Sequence, residues 1–239
     1  MSTWTRHLYE NDPLAISKGE SKGLSVRNIF GYQEDVTTSF IPAWEYATAY
    51  TYPTSAVTMD VASTDTANDN GYTARIIGLD ENYNVISEDV IIPATTTKAF
   101  FRINDVLYFN TDGNQGLITV SNGGTVYAAI RIGDGRNQAS IYTVPANHSF
   151  YLYRIDAFSN DSTSNKTGVF KNFTRNSSGV TFNVARTTFQ NQMNIQRRMP
   201  FKYEGTTDIQ FQLKTKSGTH EMNVFAEGVL IDERFPSNA

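Results

Sequence analysis

Cysteine is missing from all 239 residues, and there are only three histidines. The first absence excludes disulfides, thiolate zinc sites and a cysteine nucleophile. The second leaves His7, His148 and His220 far apart, in no metal-ligand spacing such as His-x-x-x-His. No run approaches the ~18 consecutive apolar residues of a membrane-spanning helix, so no membrane partner is expected. The opening segment, residues 1–6, has no apolar leader core. Charge is sparse, at 18% of residues with a net of −4 at pH 7, and gives no overall attraction to nucleic acid. A 3.6-residue apolar period is lacking as well.

What fills the chain is polar and uncharged. Thr, Asn and Ser number 28, 21 and 18, and Tyr and Phe add 13 and 15. Thr, Tyr and Phe fit strands, whereas Asn and Ser fit turns. The composition points to an all-β chain long enough for one large or two small domains. Period-2 alternation supports this at Val57/Met59/Val61, Val180/Phe182/Val184 and Ile209/Phe211/Leu213. Turn clusters recur at 65–71, 80–82, 112–114, 122–124 and 175–179. About a dozen short strands with tight turns predict a β-sandwich architecture. Residues 133–137, Gly-Asp-Gly-Arg-Asn, are the best boundary between two halves. The expected organisation is an extended N-terminal arm (1–39), a first sandwich (40–138) and a second, jelly-roll-like sandwich (139–239).

The search for chemistry returns little. A calcium loop starting at Thr66 would end at Ile77, and neither is a carboxylate, so residues 65–71 read as a turn. Gly133-Asp134-Gly135 is followed by no Lys-Ser/Thr and is not a phosphate loop. Asp80, Glu81, Glu88 and Asp89 flank one hairpin and read as a solvated edge rather than a glycosidase pair. No Gly-x-Ser-x-Gly elbow is present. No catalytic, cofactor-binding or metal-binding residue is expected, and the chain is read as no enzyme.

Interaction signals are stronger. The arm carries Leu8, Tyr9, Ile29 and Phe30, apolar groups that need burial against the body or a neighbouring chain. Trp44, Tyr46 and Tyr50 cluster with Tyr52 around Pro53, a composition suited to packing of a long loop, a subunit contact or sugar stacking. Residues 56–112 hold nine acids against three bases, and 162–203 hold seven bases, Arg197 and Arg198 among them, and no acid. Opposite charge in the two halves suits a head-to-tail contact between copies, or an acidic partner.

Several segments resemble a family of virion structural proteins of tailed bacteriophages, common in marine and cyanobacterial phages. The likeness is carried by "GYTARIIGLDENYNVISEDVII" (71–92), "TTTKAFFRINDVLYF" (95–109) and "SIYTVPANHSFYLYRIDAF" (140–158). The lead-ins at 18–36 and 50–64, with "TDIQFQL" and "FAEGVLIDE", extend it over most of 18–233. This sequence departs at Asn84-Val85, where the family carries an acid after Asn, and at Asn147, where it carries Gly. The motifs are structural and imply no active residue. The resemblance implies a non-enzymatic virion component assembled in the host bacterial cytoplasm. Head decoration (cement) on the major capsid protein, as a trimer, is the role expected from it. The alternatives are a tail, neck or fibre-associated protein, or a glycan- or receptor-binding module.

Overall fold

The structure, a computed structural model, describes residues 13–160 and 167–235. Leu8 and Tyr9 lie outside the described residues. Among the described residues strand accounts for 58% and helix for 4%, so the class is all-β. A short helix, α1 (Pro13–Ser17), leads into β1 (Leu24–Val36) and β2 (Ile41–Pro42). Next come β3 (Asp60–Ser63), a one-turn helix α2 (Thr66–Asp69), β4 (Thr73–Leu79), β5 (Val85–Ile91), β6 (Ala94–Thr95), β7 (Arg102–Phe109), β8 (Ile118–Asn122) and β9 (Thr125–Ile130). The chain continues through β10 (Ile141–Thr143), β11 (His148–Asn160), β12 (Thr167–Arg175), β13 (Thr181–Gln190), β14 (Gln192–Tyr203), β15 (Asp208–Thr215) and β16 (His220–Asp232).

Two small antiparallel sheets, β6-β3-β8-β9 and β5-β4-β7, enclose one core. Met59, Ile76, Phe100, Val106, Ile118 and Ile130 lie in it, none more than 0% exposed. This core draws only on residues 59–130, with Val57 packed against it. Its polar inclusion is Asp69 at the end of α2. The carboxylate is fully buried and accepts from Ser63 Oγ (2.5 Å), Gln115 N (2.9 Å), Gly116 N (2.8 Å) and Tyr108 Oη (3.1 Å). The segment expected as a plain turn is therefore a capped helical turn, with Asp65 accepting from the Ala67 and Asn68 amides.

The remaining strands form one path, β1-β16-β11-β14-β13-β12-β15-β10, with β2 paired to β15 beside it. At the middle of the path β13 and β14 share a single pair, Gln190–Gln192. Both arms of the path supply one second core, with Phe150, Leu152 and Ala226 from one and Phe170, Phe211 and Leu213 from the other.

The first strand corrects the expected arm. Residues 24–36 are not outside a sheet: they pair with β16 from Leu24–Ile231 to Val36–His220. Ile29, Val36, Ile41 and Ala43 belong to the second core. The alternation was hidden because two inward positions of β1 are not apolar. Gly31 lies where a Cβ would collide with the Ala43 carbonyl and with Ser140. Gln33 is buried and donates through Nε2 to the Trp44 carbonyl (2.8 Å). Close backbone approach and a satisfied buried amide thus replace two hydrophobic side chains.

Candidate functional site: an ionic seam and a protruding bulge

The two cores are joined through Arg102 on β7 and Asp208 on β15, residues 106 apart in sequence. Their side chains are 5% and 3% exposed. Arg102 meets the carboxylate through Nε (2.8 Å) and Nη2 (3.2 Å), and its Nη1 donates to the Phe101 and Pro53 carbonyls. Arg175, at the end of β12, binds the same carboxylate through Nη2 (2.6 Å) and Nε (3.0 Å). Thr143 Oγ1 adds a fifth donor at 2.7 Å. Both guanidinium groups face the ring of Tyr52, at 5.0 and 4.1 Å. Beside the ion group, Asn104 and Thr143 exchange hydrogen bonds of 2.9 and 2.8 Å.

From Tyr52 an aromatic chain runs outward. Tyr50 meets Tyr52 edge-on at 4.8 Å, Trp44 meets Tyr50 at 5.2 Å, and Tyr46 tilts onto Trp44 at 5.3 Å. Burial pushes the Tyr50 and Tyr52 hydroxyls above the usual tyrosine value. The structure thus brings Trp44, Tyr46 and Tyr50 together but buries Trp44 at 2% exposure. Its expected role as a subunit anchor is corrected: the indole is spent inside the seam. Ile29 is corrected in the same way, since it is 4% exposed and lies in the second core. Phe30, on the opposite side of β1, is 39% exposed and lines a cleft of about 380 Å³ with Arg27, Asn104 and Arg136. Tyr46 remains 42% exposed beside a second cleft of about 300 Å³ with Glu34, Glu45, Arg131 and Gln138. Glu45 pairs with Arg131 there, yet burial holds its carboxyl above the usual range.

Arg197 and Arg198 occupy different terrain. On β14, Phe201 pairs with Leu152 and Gln196 with Arg154. Residues 197–200 therefore stand against Tyr153 alone, four residues against one. The surplus forms a wide bulge on which Met199 is 82% exposed and Tyr153 42% exposed. Arg198 is exposed; Arg197 is half-buried near Phe201, and its Nε is buried without a partner among the described residues. Beyond the shared pair, the facing edges of β13 and β14 have no strand partner among the described residues. Val180 (49% exposed) and Phe182 (55%) lie along the β13 side.

Sequence reasoning missed Arg102, Arg175 and Asp208. Two of the three fall inside the quoted segments "FFRIND" and "TDIQFQL", but nothing local reveals that a charge there is buried. Among the described residues no group of three or more acidic, histidine or cysteine side chains is placed to hold a metal. No helix among them is long and apolar enough to cross a membrane.

No family model and no curated protein matches the chain. Among solved structures, the VP2 subviral particle of infectious bursal disease virus is 10% identical, with 89% of this chain and 72% of that chain covered at a TM-score of 0.26. The Gx strain of the same virus gives 11% identity, 90% and 73% coverage and a TM-score of 0.25. Superposition this loose bears on neither fold nor role.

Proposed function

We propose that the chain is a non-enzymatic virion structural protein of a tailed bacteriophage, a head-decoration (cement) protein that stabilises capsomer contacts from outside. Its architecture is read as two β-sandwich units, the second jelly-roll-like. The observation that carries the reading is the β14 bulge. Bulges in a regular sheet re-aim side chains, and this one presents Met199 and Arg198 outward beside two unpaired strand edges. Burying Met199 on a partner is worth about 1.5–3 kcal/mol, whereas each exposed ion pair made by Arg198 contributes about 0–1 kcal/mol. The arginines then set orientation and the apolar groups supply affinity.

Two further points support it. The segments resembling phage virion proteins fall on framework: residues 71–92 span the β4–β5 hairpin, and 140–158 span β10 and most of β11. Asn147, where that family carries Gly, has φ +59°, a conformation Asn tolerates better than most residues. The partners proposed are the major capsid protein and further copies of this chain in a trimer, within a particle assembled in the bacterial cytoplasm. Zero cysteine suits that compartment.

A second reading, a glycan-binding module, rests on the half-exposed Tyr46 ring beside the polar cleft of Glu34, Glu45, Arg131 and Gln138. One experiment separates the two. Purified protein is added to particles lacking it, and occupancy is measured by cryo-electron microscopy. Met199→Asp with Arg198→Glu should abolish shell density, and Tyr46→Ala should leave it unchanged. Full occupancy by the double variant, or density on the tail alone, would overturn the cement reading.

A further inference from the structure

Three cations converge on one ring at the outer face of the β13-β12-β15 layer. Lys171 Nζ lies 4.3 Å from the Phe40 centroid, Lys214 Nζ 5.1 Å and the Arg186 guanidinium carbon 5.2 Å. Any two of them are therefore at most about 10 Å apart. Register enforces this: Lys171 on β12 pairs directly with Arg186 on β13, and Lys214 on β15 pairs with Val169, two residues along from Lys171. Phe40 is brought over them because the next two residues, β2, pair with Gln212 and Leu213.

Like charges placed directly opposite in a sheet are destabilising. Other cations of this molecule are matched: Arg75 by Asp89, Arg136 by Asp105, Arg131 by Glu45. Among the described residues no carboxylate lies within ion-pair distance of Lys171, Arg186 or Lys214. Burial, and then the charge of Arg186, hold the Lys171 ammonium below the usual lysine value. The Phe40 face offsets part of the repulsion, since a cation over a ring gains about 0.5–1 kcal/mol at an exposed site. It brings no negative charge.

We propose that Lys171, Arg186 and Lys214 around Phe40 form a binding site for a compact dianionic oxyanion, a phosphate or sulfate group. A single carboxylate would balance one of three positive charges. A tetrahedral dianion balances two and offers several acceptor oxygens to ammonium and guanidinium donors together. The group can be a free ion or an ester carried by a larger molecule. This site is separate from the β14 bulge and does not depend on the cement reading.

The test uses the full chain and inorganic sulfate. Thermal unfolding is followed in sodium sulfate and in sodium chloride at matched ionic strength, for wild type, Lys214→Gln and Lys171→Gln/Lys214→Gln. Wild type should gain several degrees in 10 mM sulfate over chloride, and the double variant should lose at least two-thirds of that gain. In low salt without sulfate the single variant should melt no lower than wild type, because a repelling charge has gone. Equal sulfate responses in all three proteins would show general salting-out at work and overturn the site. A lower melting point for Lys214→Gln in low salt would show the lysine to be a packing element, and would overturn it too. A phosphorylated or sulfated polysaccharide, added last, distinguishes an ester source from the free ion: competition with sulfate supports the ester, and indifference restricts the site to the small ion.

Discussion

Replacing Asp208 with asparagine removes one negative charge from the point where two guanidinium groups meet, with almost no change in volume. The carboxylate accepts five hydrogen bonds, four of them from guanidinium groups. Arg102, 5% exposed, then has no counter-charge and no route to water. Breaking a buried pair in this way costs about 3–5 kcal/mol. Arg175 is 28% exposed and partly screened, so its own share is about 1 kcal/mol or less. Whole-chain stability is about 5–15 kcal/mol, so Asp208→Asn should remove about a fifth of it or more. At about 2–4 °C per kcal/mol for a chain of this size, the melting point falls by roughly 6–20 °C. The order of severity should be Asp208→Asn, then Arg102→Gln, then Arg175→Gln. Arg102→Met combined with Asp208→Leu should lose less than the sum of its parts, because no lone charge remains buried. Urea unfolding read by tryptophan fluorescence and by far-ultraviolet circular dichroism checks this. With Trp4 replaced by Phe, Trp44 reports on the seam, and dichroism reports on all sheets. Their transitions should separate in Asp208→Asn as the two cores lose their coupling. A loss below about 1 kcal/mol, or equal losses for Arg102→Gln and Arg175→Gln, would refute the buried-charge reasoning.

Acid should weaken the fold. At Asp232 the Arg234 guanidinium hydrogen bond, helped by the Arg234 amide and the charge of His148, brings the carboxyl down to about 2. At Asp69 burial opposes ionisation, but the hydrogen bonds from Ser63, Gln115, Gly116 and Tyr108 outweigh it and hold the carboxyl below the usual range. Both groups release protons more readily when folded. Their stabilisation is complete above the unfolded value near pH 4 and is lost as pH falls through the folded values. Urea midpoints should therefore drop between about pH 4 and pH 2. Asp69→Asn should flatten that drop while costing about 1–3 kcal/mol at pH 7, where an amide would face donors already aimed at a carboxylate. Gly31→Ala should destabilise by about 1–3 kcal/mol through overpacking against Ala43 and Ser140, read from the same midpoints; an unchanged midpoint would mean that β1 can shift to make room.

The sequence made strands legible where apolar residues alternate. Ile209, Phe211 and Leu213 alternate on the buried face of β15. Val180–Val184 alternates too and β13 follows it, although Val180 and Phe182 are exposed. It hid β1 because a glycine and a glutamine occupy two of that strand's inward positions. The charge asymmetry singled out Arg197 and Arg198; what lifts Arg198 into the open is a register slip against Tyr153, and register belongs to the pairing of strands, not to either strand alone. Trp44 shows the converse. Its apolar bulk is plain from sequence, yet the surface that covers it is the molecule's own. The Arg102–Asp208 pair joins residues from different sheets across 106 positions, and neither carries a local mark of burial.

The place of β16 in its sheet fixes an order of events during synthesis. β16 lies between β1 and β11, and its partner β1 is made about two hundred residues earlier. At a translation rate of about 5–20 residues per second, β1 waits roughly 10–40 s for its neighbour. The core drawn from residues 59–130 has no such wait, because all its members are synthesised before β11. A chain that stops short of residue 220 would hold one closed core, and beside it β1 and β11 each with an open edge facing the gap that β16 should fill. Such edges invite pairing with other chains. Premature products would therefore be marked for aggregation or proteolysis.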